Sequence, residues 1–322
     1  MRSLIIVIII CISSLPFSLQ AQQPDSLIHK LDSLHIKADS GKQVNNINPA
    51  AYNQETKLTV KSYFILLGSD FKQAFTKPFH LKHKDIAPLA IFAGTAIAVG
   101  LADEPIQRAA LKWRNNNPSV AKVGNFVSRF GGMYETYALV GFGLYGVIFK
   151  SQKMKTTTLL ASQAYILGGA EEAVLKTLSG RTRPNFYSST GEAEPKFLGP
   201  FGNTSRDALR NKSNSSFPSG HTTVAFAAAT VFAMEYKEHW YIPVISYTAA
   251  TLIGMSRITE NKHWSTDVLV GAALGWVTGR QVVNNYHRYA KIKAPEQKKN
   301  NVTWHLNYEQ RHLGAGLVYH VG

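Results

Sequence analysis

Three short polar clusters, each next to an apolar stretch of the chain, hold the residues best suited to chemistry. They occupy residues 176–184, 217–221 and 256–267. Together they contain lysine, arginine, histidine, serine and aspartate, the side chains that can grip a phosphate group and transfer it. Neither cysteine nor a carboxylate cluster with metal-ligand spacing accompanies them, so we expect no metal ion and no other cofactor at this site.

The first cluster, KTLSGRTRP at residues 176–184, places cations at the end of a predicted helix. Lys176 lies about two helical turns before Arg183, so both side chains can point toward one end of a helix bundle. Arg183 can grip an anion through two hydrogen bonds, and Arg181 could assist. Pro184 is predicted to end the helix. Considered alone, the pattern is more often a basic cap that complements the helix dipole.

The second cluster, FPSGH at residues 217–221, stands at the start of a predicted helix. Ser219 can cap that helix, and Gly220 lets the backbone come close to a ligand. The free N–H groups at a helix start, together with the helix dipole, form an anion site. His221 beside that anion can deliver a proton. Considered alone, an ordinary serine cap followed by a histidine explains the same residues.

The third cluster, SRITENKHWSTD at residues 256–267, combines a cation with a histidine–aspartate pair. His263 and Asp267 are four residues apart, so on a helix they share a face. An aspartate that accepts from one imidazole nitrogen fixes the tautomer and makes the other nitrogen a better nucleophile. Arg257 adds a third cation. The alternative is a surface pair worth roughly a few tenths of a kcal/mol.

The positions of the clusters favour one shared site over three separate features. Each cluster lies at an end of an apolar segment, and the helices predicted at residues 222–234 and 241–255 form a down-and-up pair. The ends near residues 218 and 257 therefore fall on the same side, and a loop joins the first cluster to them. We expect three cations, two histidines and one aspartate to converge on a phosphate-sized site.

Six apolar segments rich in small residues predict an all-α fold. They are residues 86–101, 133–149, 157–170, 222–234, 241–255 and 268–283. Packed membrane helices are rich in small residues, although several of these segments fall short of the roughly 20 apolar residues that cross a bilayer. We predict a bundle of six membrane-embedded helices. The alternative is a soluble helical bundle with apolar core helices, to which the mean hydropathy of −0.11 lends weight.

The chain before these segments divides into three parts. Residues 1–21 are predicted to be a signal peptide, with Arg2 as its charged start and an apolar centre at residues 4–12; the alternative is an uncleaved membrane anchor. Residues 22–58 are polar and are predicted to form a flexible arm. Residues 59–83 mix aromatic residues with lysine and histidine at helical spacing, which indicates an amphipathic interfacial helix.

The tail and the overall charge favour anionic partners. Residues 286–322 form a basic tail whose last part, residues 302–321, can form a small β-hairpin. The chain carries 35 Lys and Arg against 20 Asp and Glu, which suits a membrane surface or an anionic substrate. No nucleic-acid motif is present, so no nucleic acid is expected as partner, and no protein partner is evident. Cys11 is the only cysteine, so a processed protein would have no disulfide.

The three clusters resemble a known family. KTLSGRTRP, PSGH and SRITENKHWSTD match, in order and spacing, the three-part signature of the type 2 phosphatidic acid phosphatase superfamily. Bacterial class A acid phosphatases and vanadium haloperoxidases carry the same signature, and the chain is most similar to the bacterial membrane lipid phosphatases. The resemblance covers residues 86–283 and implies an all-α phosphatase domain over residues 84–285.

The resemblance implies a role for each signature residue. His263 is similar in position to the nucleophile that forms a phosphohistidine, Asp267 to its orienting partner, and His221 to the acid that protonates the leaving oxygen. The residues that correspond to the phosphate clamp are Lys176, Arg183, Arg257, Ser219 and Gly220. The implied reaction needs no metal, because cations and oriented donors stabilise the charge on the transferring phosphoryl group.

These observations predict a helical phosphatase of the bacterial cell envelope. The expected substrates are lipid phosphates or diphosphates, such as phosphatidate, phosphatidylglycerophosphate, a polyprenyl diphosphate or a lipid A phosphate, because apolar helices would place the site at lipid depth. Basic residues between positions 280 and 299 lie one helix beyond His263, so we expect an inner-membrane protein whose site faces the periplasm. An exported N-terminus followed by three crossings would instead leave residues 176–184 inside.

Three other functions fit parts of the sequence. A soluble periplasmic acid phosphatase would carry the same site in a soluble helical bundle, which would also remove the conflict over topology. A vanadate-dependent haloperoxidase uses the same kind of anion site for oxidation. A non-enzymatic lipid-binding envelope protein is a more distant alternative, because every catalytic position of the signature is filled.

Overall fold

The computed structural model describes five parts of the chain. They are residues 58–187, 194–200, 215–293, 301–309 and 312–320. The predicted signal peptide and nearly all of the predicted flexible arm lie outside the described residues, as does most of the loop between the first two clusters.

The described residues are mostly helical, as predicted. Their α-helices are α1 (Val60–Thr76), α2 (His83–Leu101), α3 (Asp103–Asn116), α4 (Pro118–Ser128), α5 (Met133–Ile148), α6 (Gln152–Ser179), α7 (Gly220–Glu235), α8 (Tyr241–Thr259) and α9 (Ser265–Lys293). Short 3₁₀ turns lie at Lys77–Phe79, Arg129–Gly131 and Pro184–Tyr187. Strands β1 (Asn301–Glu309) and β2 (His312–His320) pair antiparallel, with Asn301 opposite His320.

The six apolar segments all fall in helices, namely α2 and α5 to α9. Helices α6 and α9 are 28 and 29 residues long, well beyond the segments that predicted them. Lysine, glutamate, glutamine and arginine are good helix formers, so these helices continue where the apolar run stops. Helices α3 and α4 were not among the predicted segments. The polar composition of α3 contains no apolar run from which a helix could be predicted.

Helix α7 is the centre of the bundle. Thirteen of its 16 residues are buried, and it packs against α6, α8 and α9. Its side chains are mostly alanine, threonine, valine and phenylalanine, so it is apolar on every side, as a helix enclosed by others must be. The start of α7, which carries the second polar cluster, is therefore held inside a ring of neighbouring helix ends.

Three glycines on α9 bring its backbone against that of α7. Gly271, Gly275 and Gly279 are spaced four residues apart and face the same neighbour. A Cβ atom added at Gly275 would lie 2.1 Å from the carbonyl oxygen of Thr223, and one at Gly271 would lie 2.7 Å from that of Ser219. This close packing of small residues places the first turn of α9 beside the first turn of α7.

The first part of the amphipathic segment predicted at residues 59–83 forms α1, whose buried face is mostly polar. Gln73 donates to Asn285 at 3.2 Å, and Asn285 donates to Asp70 at 2.9 Å. Large apolar side chains such as Phe64, which is 63 % exposed, lie on the outer face. Helix α1 is therefore held on α6 and α9 both by these hydrogen bonds and by the side chain of Leu66, which is buried in the apolar core.

Among the described residues, no single helix is both long enough and apolar enough to cross a bilayer. The consecutive segments Asp85–Leu101 and Asp103–Asn116, which meet at an angle of 59°, satisfy both requirements as a pair.

Candidate functional site

The three polar clusters meet where α6 and α8 end and α7 and α9 begin. The backbone N–H of Ser219, just before α7, donates to the carbonyl of Asp267 in the first turn of α9 at 3.0 Å. The N–H of Ser216 donates to the carbonyl of Arg181 at 3.0 Å, and that of His263 donates to the carbonyl of Arg257 at 3.2 Å. Main-chain hydrogen bonds thus connect the second cluster to the third, and connect Ser216, the residue before the second cluster, to the first.

His263 is buried in the loop before α9, with 1 % of its surface exposed. Its Nδ1 lies 2.7 Å from the carbonyl oxygen of Ser216. A carbonyl can only accept a hydrogen bond, so Nδ1 carries the hydrogen and Nε2 keeps a lone pair. The hydrogen bond to Ser216 therefore selects the tautomer in which Nε2 can act as a nucleophile.

The expected pairing of His263 with Asp267 needs a correction. The two residues do not share a helix face, because α9 begins at Ser265 and His263 precedes it. Oδ2 of Asp267 lies 3.5 Å from Nδ1, beyond the usual length of a hydrogen bond, while the Ser216 carbonyl is closer. Asp267 thus acts on the ring indirectly, and the main-chain acceptor was not visible in the residue spacing.

The surroundings of His263 favour a neutral ring. Burial lowers the pKa of the His263 imidazole well below its usual value of 6.5, and the nearby cations of Arg183, Lys176 and Arg257 lower it further. The hydrogen bond to Ser216 acts in the opposite direction but does not offset burial. The ring is therefore uncharged at neutral pH and offers its lone pair in a cationic environment.

Asp267 organises the loop that holds His263. Its Oδ2 accepts from the Ser216 hydroxyl at 2.5 Å and from the Trp264 N–H at 2.9 Å, and its Oδ1 accepts from Arg181 at 2.6 Å. Since Trp264 directly precedes α9, the carboxylate satisfies a backbone donor at the helix start, as in a capping box. Asp267 thus joins the third cluster to Arg181 of the first cluster and to Ser216, the residue before the second cluster, through side chains.

Arg181 does not face a phosphate, contrary to the suggestion that it could assist binding. Its guanidinium bridges two buried carboxylates, donating at 2.6 Å to Asp267 and at 2.6 Å to Asp103. The group also lies 4.7 Å from the Phe197 ring and 5.8 Å from the Trp264 ring. Both terminal nitrogens of its guanidinium bind carboxylates, so Arg181 connects parts of the fold.

Lys176 lies in the last turn of α6, beside the start of α7. Its Nζ is 2.9 Å from Glu172, one turn earlier on the same helix. A Cβ atom added at Gly220 would lie 3.2 Å from Nζ of Lys176 and 2.3 Å from Oε1 of Glu172. A side chain at position 220 would therefore displace the ends of Glu172 and Lys176. No pattern in the sequence indicated that Glu172 pairs with the lysine.

Arg183 is not on the same helix as Lys176. Helix α6 ends at Ser179, because Gly180 adopts a left-handed conformation with φ of 53°. The prediction that Pro184 ends the helix is therefore wrong; Pro184 begins a 3₁₀ turn. Arg183 lies in the extended segment between them, where its Nε donates to the Ser215 hydroxyl at 3.2 Å.

Arg257 approaches the site from the last turn of α8. It is 7 % exposed, forms an ion pair with Glu260 at 3.1 Å and donates to the hydroxyl of Ser128 at the end of α4. Burial and the neighbouring cation Arg183 would both be costly for an isolated guanidinium, so these two partners hold it in place. No pattern in the sequence indicated the contact with Ser128, which lies 129 positions earlier in the chain.

Ser219 occupies the N-cap position of α7 but does not cap the helix with its side chain. Its hydroxyl accepts from the hydroxyl of Thr222 at 2.8 Å. Among the described residues, no side chain therefore caps the first N–H groups of α7, those of Gly220 and His221. A helix start with uncapped N–H groups attracts anions.

His221 forms one wall of a cavity of about 560 Å³. The cavity is also lined by Ser128, Arg129, Gly132, Tyr134 and Tyr137. The turn before α5 packs closely over the histidine, since a Cβ atom on Gly131 would lie 2.7 Å from the His221 Cβ and one on Gly132 would lie 3.5 Å from its Nε2. His221 thus lines this cavity and also lies close to the cluster of cations.

The site as a whole can hold an anion next to two histidines. Charges on Lys176, Arg183 and Arg257 all act on both His221 and His263, which places the five side chains within electrostatic range of one another. Cations, helix N–H groups and a neutral histidine with a free lone pair are the groups that phosphoryl transfer through a covalent intermediate requires.

The site lies at one end of a helical bundle, and comparison with known proteins shows which family this part of the chain resembles. Residues 157–291 match the family model of the PAP2 superfamily. The matched residues contain the three motifs that resemble the signature of the type 2 phosphatidic acid phosphatase superfamily. Helices α1 to α5 precede the matched residues.

Two curated proteins and one solved structure illustrate the similarity. The chain is 53 % identical over 66 residues to the lipid A 1-phosphatase of Porphyromonas gingivalis. The aligned residues make up 20 % of this chain and 15 % of that protein. It is 28 % identical over 165 residues to lipid phosphate phosphatase 1 of Arabidopsis thaliana, 44 % of this chain and 50 % of that protein. The structure of Aquifex aeolicus LpxE aligns over 56 % of this chain and 93 % of its own, with 25 % identity and a TM-score of 0.42. The chain thus spans half or less of the length of the two curated relatives.

Proposed function

We propose that this protein is a phosphatase that removes phosphomonoester or diphosphate groups from membrane lipids through a phosphohistidine at His263. One observation carries the proposal: the Nδ1 hydrogen of His263 is held by the Ser216 carbonyl at 2.7 Å. This hydrogen bond leaves the Nε2 lone pair available in a site that contains three cations.

The first half of the reaction forms the covalent intermediate. Nε2 of His263 attacks phosphorus, and the bond between phosphorus and the leaving oxygen breaks. His221, which binds a proton once the negative phosphate offsets the neighbouring cations, donates that proton to the leaving oxygen. We assign the leaving group to the cavity that His221 lines, because the proton donor must contact the leaving oxygen. The product alcohol or lipid phosphate leaves from there.

The second half returns the enzyme to its starting state. His221, now neutral, takes a proton from a water molecule, whose oxygen attacks the phosphorus of the phosphohistidine. The bond between phosphorus and Nε2 breaks, inorganic phosphate departs and His221 is protonated again. Each turnover therefore consumes one water and leaves both histidines unchanged.

The remaining signature residues form the proposed phosphate clamp. Lys176, Arg183 and Arg257 supply positive charge, and the Ser219 hydroxyl and the Gly220 N–H supply oriented hydrogen bonds. Such donors stabilise the charge that spreads over the phosphoryl oxygens in the transition state. The pairing of Lys176 with Glu172 and of Arg257 with Glu260 fixes these cations before a ligand arrives.

The outer surface supports a lipid as substrate. Large apolar side chains point outward on several helices, among them Ile97 (66 % exposed), Ile148 (69 %) and Ile245 (63 %). Apolar surface on this scale marks contact with a membrane or another apolar partner. The names of the two curated relatives, a lipid A 1-phosphatase and a lipid phosphate phosphatase, support phosphates of lipids such as phosphatidate, phosphatidylglycerophosphate, polyprenyl diphosphate or lipid A.

The proposal includes a place in the cell envelope. Arg280 and Arg288 on α9, followed by further lysines, form a basic end one helix away from His263. Basic ends of membrane helices remain on the cytoplasmic side, so the site would face the periplasm of a protein embedded in the inner membrane.

Trapping the covalent intermediate tests the proposal. The full chain in detergent is mixed with a ³²P-labelled lipid phosphate, quenched rapidly and assayed for acid-labile, base-stable protein phosphate. Wild type and His239→Ala, a change at an exposed histidine outside the site, are expected to trap label, whereas His263→Ala is expected to trap none. Turnover by wild type without any trapped label, or label retained in His263→Ala, would contradict the proposal.

A further inference from the structure

Asp103 lies outside the residues that match the family model, yet it is built into the site. It is the first residue of α3 and has no exposed surface. Its Oδ1 accepts from the Ser265 hydroxyl at 2.5 Å and the Thr266 N–H at 2.9 Å. Its Oδ2 accepts from the Thr266 hydroxyl at 2.7 Å and Arg181 at 2.6 Å. Both oxygens are therefore fully used.

These contacts join Asp103 to the histidine through a continuous chain of hydrogen bonds. Arg181 donates to both Asp103 and Asp267 at 2.6 Å. Asp267 then accepts from the Ser216 hydroxyl at 2.5 Å, and the Ser216 carbonyl accepts from His263 at 2.7 Å. Every side chain in this path is buried.

The path has a second branch that ties it to the backbone. The Ser216 N–H donates to the carbonyl of Arg181 at 3.0 Å, so Arg181 holds Ser216 from one side while Asp267 holds it from the other. Asp103 meanwhile holds Ser265 and Thr266, the first two residues of α9. The loop that carries His263 is thus fixed at its end, and the acceptor of its ring hydrogen is fixed separately.

Stability alone does not account for such an arrangement. Two carboxylates that share one guanidinium carry a net negative charge in a buried place, and buried ion pairs often contribute no more stability than apolar groups of the same volume. The arrangement does fix the positions of its side chains, because each hydrogen-bond donor meets a particular acceptor. This series of hydrogen bonds ends at the Nδ1 hydrogen of His263.

We propose that Asp103 is a positioning residue for phosphoryl transfer: acting through Arg181, it sets the positions of Asp267 and Ser216 and thereby the direction of Nε2 of His263. The inference rests on the proposed function and adds a residue on α3 to it. Asp103 touches no reacting atom, so it should govern how well the nucleophile is aimed, and it should leave the phosphate clamp unchanged.

Asp103→Asn is expected to slow the chemical step. The amide keeps the shape of the side chain but removes its charge. Its –NH₂ group also replaces one acceptor oxygen, so a donor then faces the donors of Arg181 or Thr266. A small displacement of a nucleophile can cost about 100-fold in rate. We therefore expect kcat and the rate of phosphohistidine formation to fall by about that factor, while inhibition by inorganic phosphate, which reports the clamp, changes by less than about twofold.

Asp70→Asn is the matched control. Asp70 is also buried, with 1 % of its surface exposed, and it accepts from Asn285 at 2.9 Å at the α1–α9 contact, outside the path to His263. If buried carboxylates matter only for folding, both variants should lower the melting temperature and neither should change the rate of phosphohistidine formation. Positioning by Asp103 instead predicts a loss of rate in Asp103→Asn alone.

Two further variants make the test decisive if Asp103→Asn folds poorly. Ser265→Ala removes one hydrogen bond to Asp103 without leaving a buried charge unpaired, and should reduce the rate by about threefold to tenfold. In Arg181→Lys, the lysine can bind only one of the two carboxylates at a time. The double variant Arg181→Lys with Ser265→Ala should lose clearly less rate than the product of the two single-variant losses, because both changes act on one path.

Three results separate success from failure. A normal rate of phosphohistidine formation in folded Asp103→Asn or Ser265→Ala overturns the inference while the proposed function stands. Equal losses in rate and in phosphate affinity also overturn it, since the clamp would then have collapsed. Absence of phosphohistidine in the wild type overturns the proposed function and this inference together.

Discussion

His263 donates its Nδ1 hydrogen to the main-chain carbonyl of Ser216 at 2.7 Å, while the carboxylate of Asp267 lies 3.5 Å from the same nitrogen. The aspartate therefore does not touch the ring through a normal hydrogen bond. It holds the Ser216 hydroxyl and the Trp264 N–H instead, and so acts on the loop around the histidine. A main-chain acceptor cannot be removed by substitution, so the tautomer of His263 should survive changes at Asp267.

The first prediction separates the two roles of residue 216. Ser216→Ala removes the hydroxyl that Asp267 accepts but keeps the carbonyl that His263 uses, so kcat should fall by less than about tenfold. Asp267→Asn breaks the buried pair with Arg181 as well and should lower kcat by about 100-fold. Steady-state kinetics on one lipid phosphate decides, and a Ser216→Ala loss as large as that of Asp267→Asn would contradict the arrangement.

The second prediction concerns the turn over His221. A Cβ atom at Gly131 would lie 2.7 Å from both the His221 Cβ and the Ile253 Cγ2. Gly131→Ala should therefore displace His221 and destabilise the fold by about 1–3 kcal/mol. If His221 is the acid, hydrolysis of a lipid phosphate, which has a poor leaving group, should fall much more than hydrolysis of an activated aryl phosphate.

Gly141→Ala provides the control for that prediction. Gly141 lies in α5, and a Cβ atom there meets nothing within 4 Å. Alanine should stabilise the helix by about 0.5–1 kcal/mol without changing either rate. Equal losses with lipid and aryl substrates in Gly131→Ala would show that His221 does not protonate the leaving oxygen.

The clusters could be found from the sequence because each is local. Lys176, His221 and His263 lie within short motifs at the ends of apolar segments, and their convergence follows from the antiparallel course of the helices. Asp103 and Ser128 come from two helices that carry no apolar run, and their contacts with Arg181 and Arg257 span 78 and 129 positions. Tertiary contacts of that separation leave no periodic pattern.

Arg181 shows the limit of reading charge from a motif. It stands between two residues of the phosphate signature and is itself a cation, so the sequence favoured a phosphate ligand. The structure pairs it with Asp103 and Asp267. The local sequence shows that a guanidinium is present, but the fold determines which anion it pairs with.

The third prediction concerns pH. The pKa of His263 is lowered by burial and by neighbouring cations, so the folded protein resists protonation there while the unfolded chain binds a proton near its usual pKa of 6.5. The free energy of unfolding should therefore fall as the pH drops through about 6.5, because the unfolded state then binds more protons. In His263→Gln this part of the slope should be absent.

Nitrogen NMR checks the same prediction directly. In the ligand-free protein, the His263 ring should remain neutral, with hydrogen on Nδ1, as the pH is lowered through about 6.5, the usual pKa of histidine. A His263 ring that becomes charged at about pH 6.5 would contradict the stated environment.

The fourth prediction tests whether the contact between α7 and α9 positions the site. A Cβ atom at Gly275 would lie 2.1 Å from the carbonyl oxygen of Thr223 and 2.9 Å from the N atom of Ala227. Both are main-chain atoms, so no side-chain rotation can relieve the clash and the two helices must separate. Gly275→Ala should destabilise the protein by about 1–3 kcal/mol or more.

The same change should reduce phosphohistidine formation, because the Ser219 N–H and the Asp267 carbonyl, which meet at 3.0 Å, lie at the start of the two helices that it separates. Gly94→Ala on α2 is the control, since a Cβ atom there meets nothing within 4 Å. Chemical denaturation and rapid-quench trapping measure the two effects. A Gly275→Ala protein as stable and as fast as Gly94→Ala would mean that the backbones of α7 and α9 do not need to touch for the site to form.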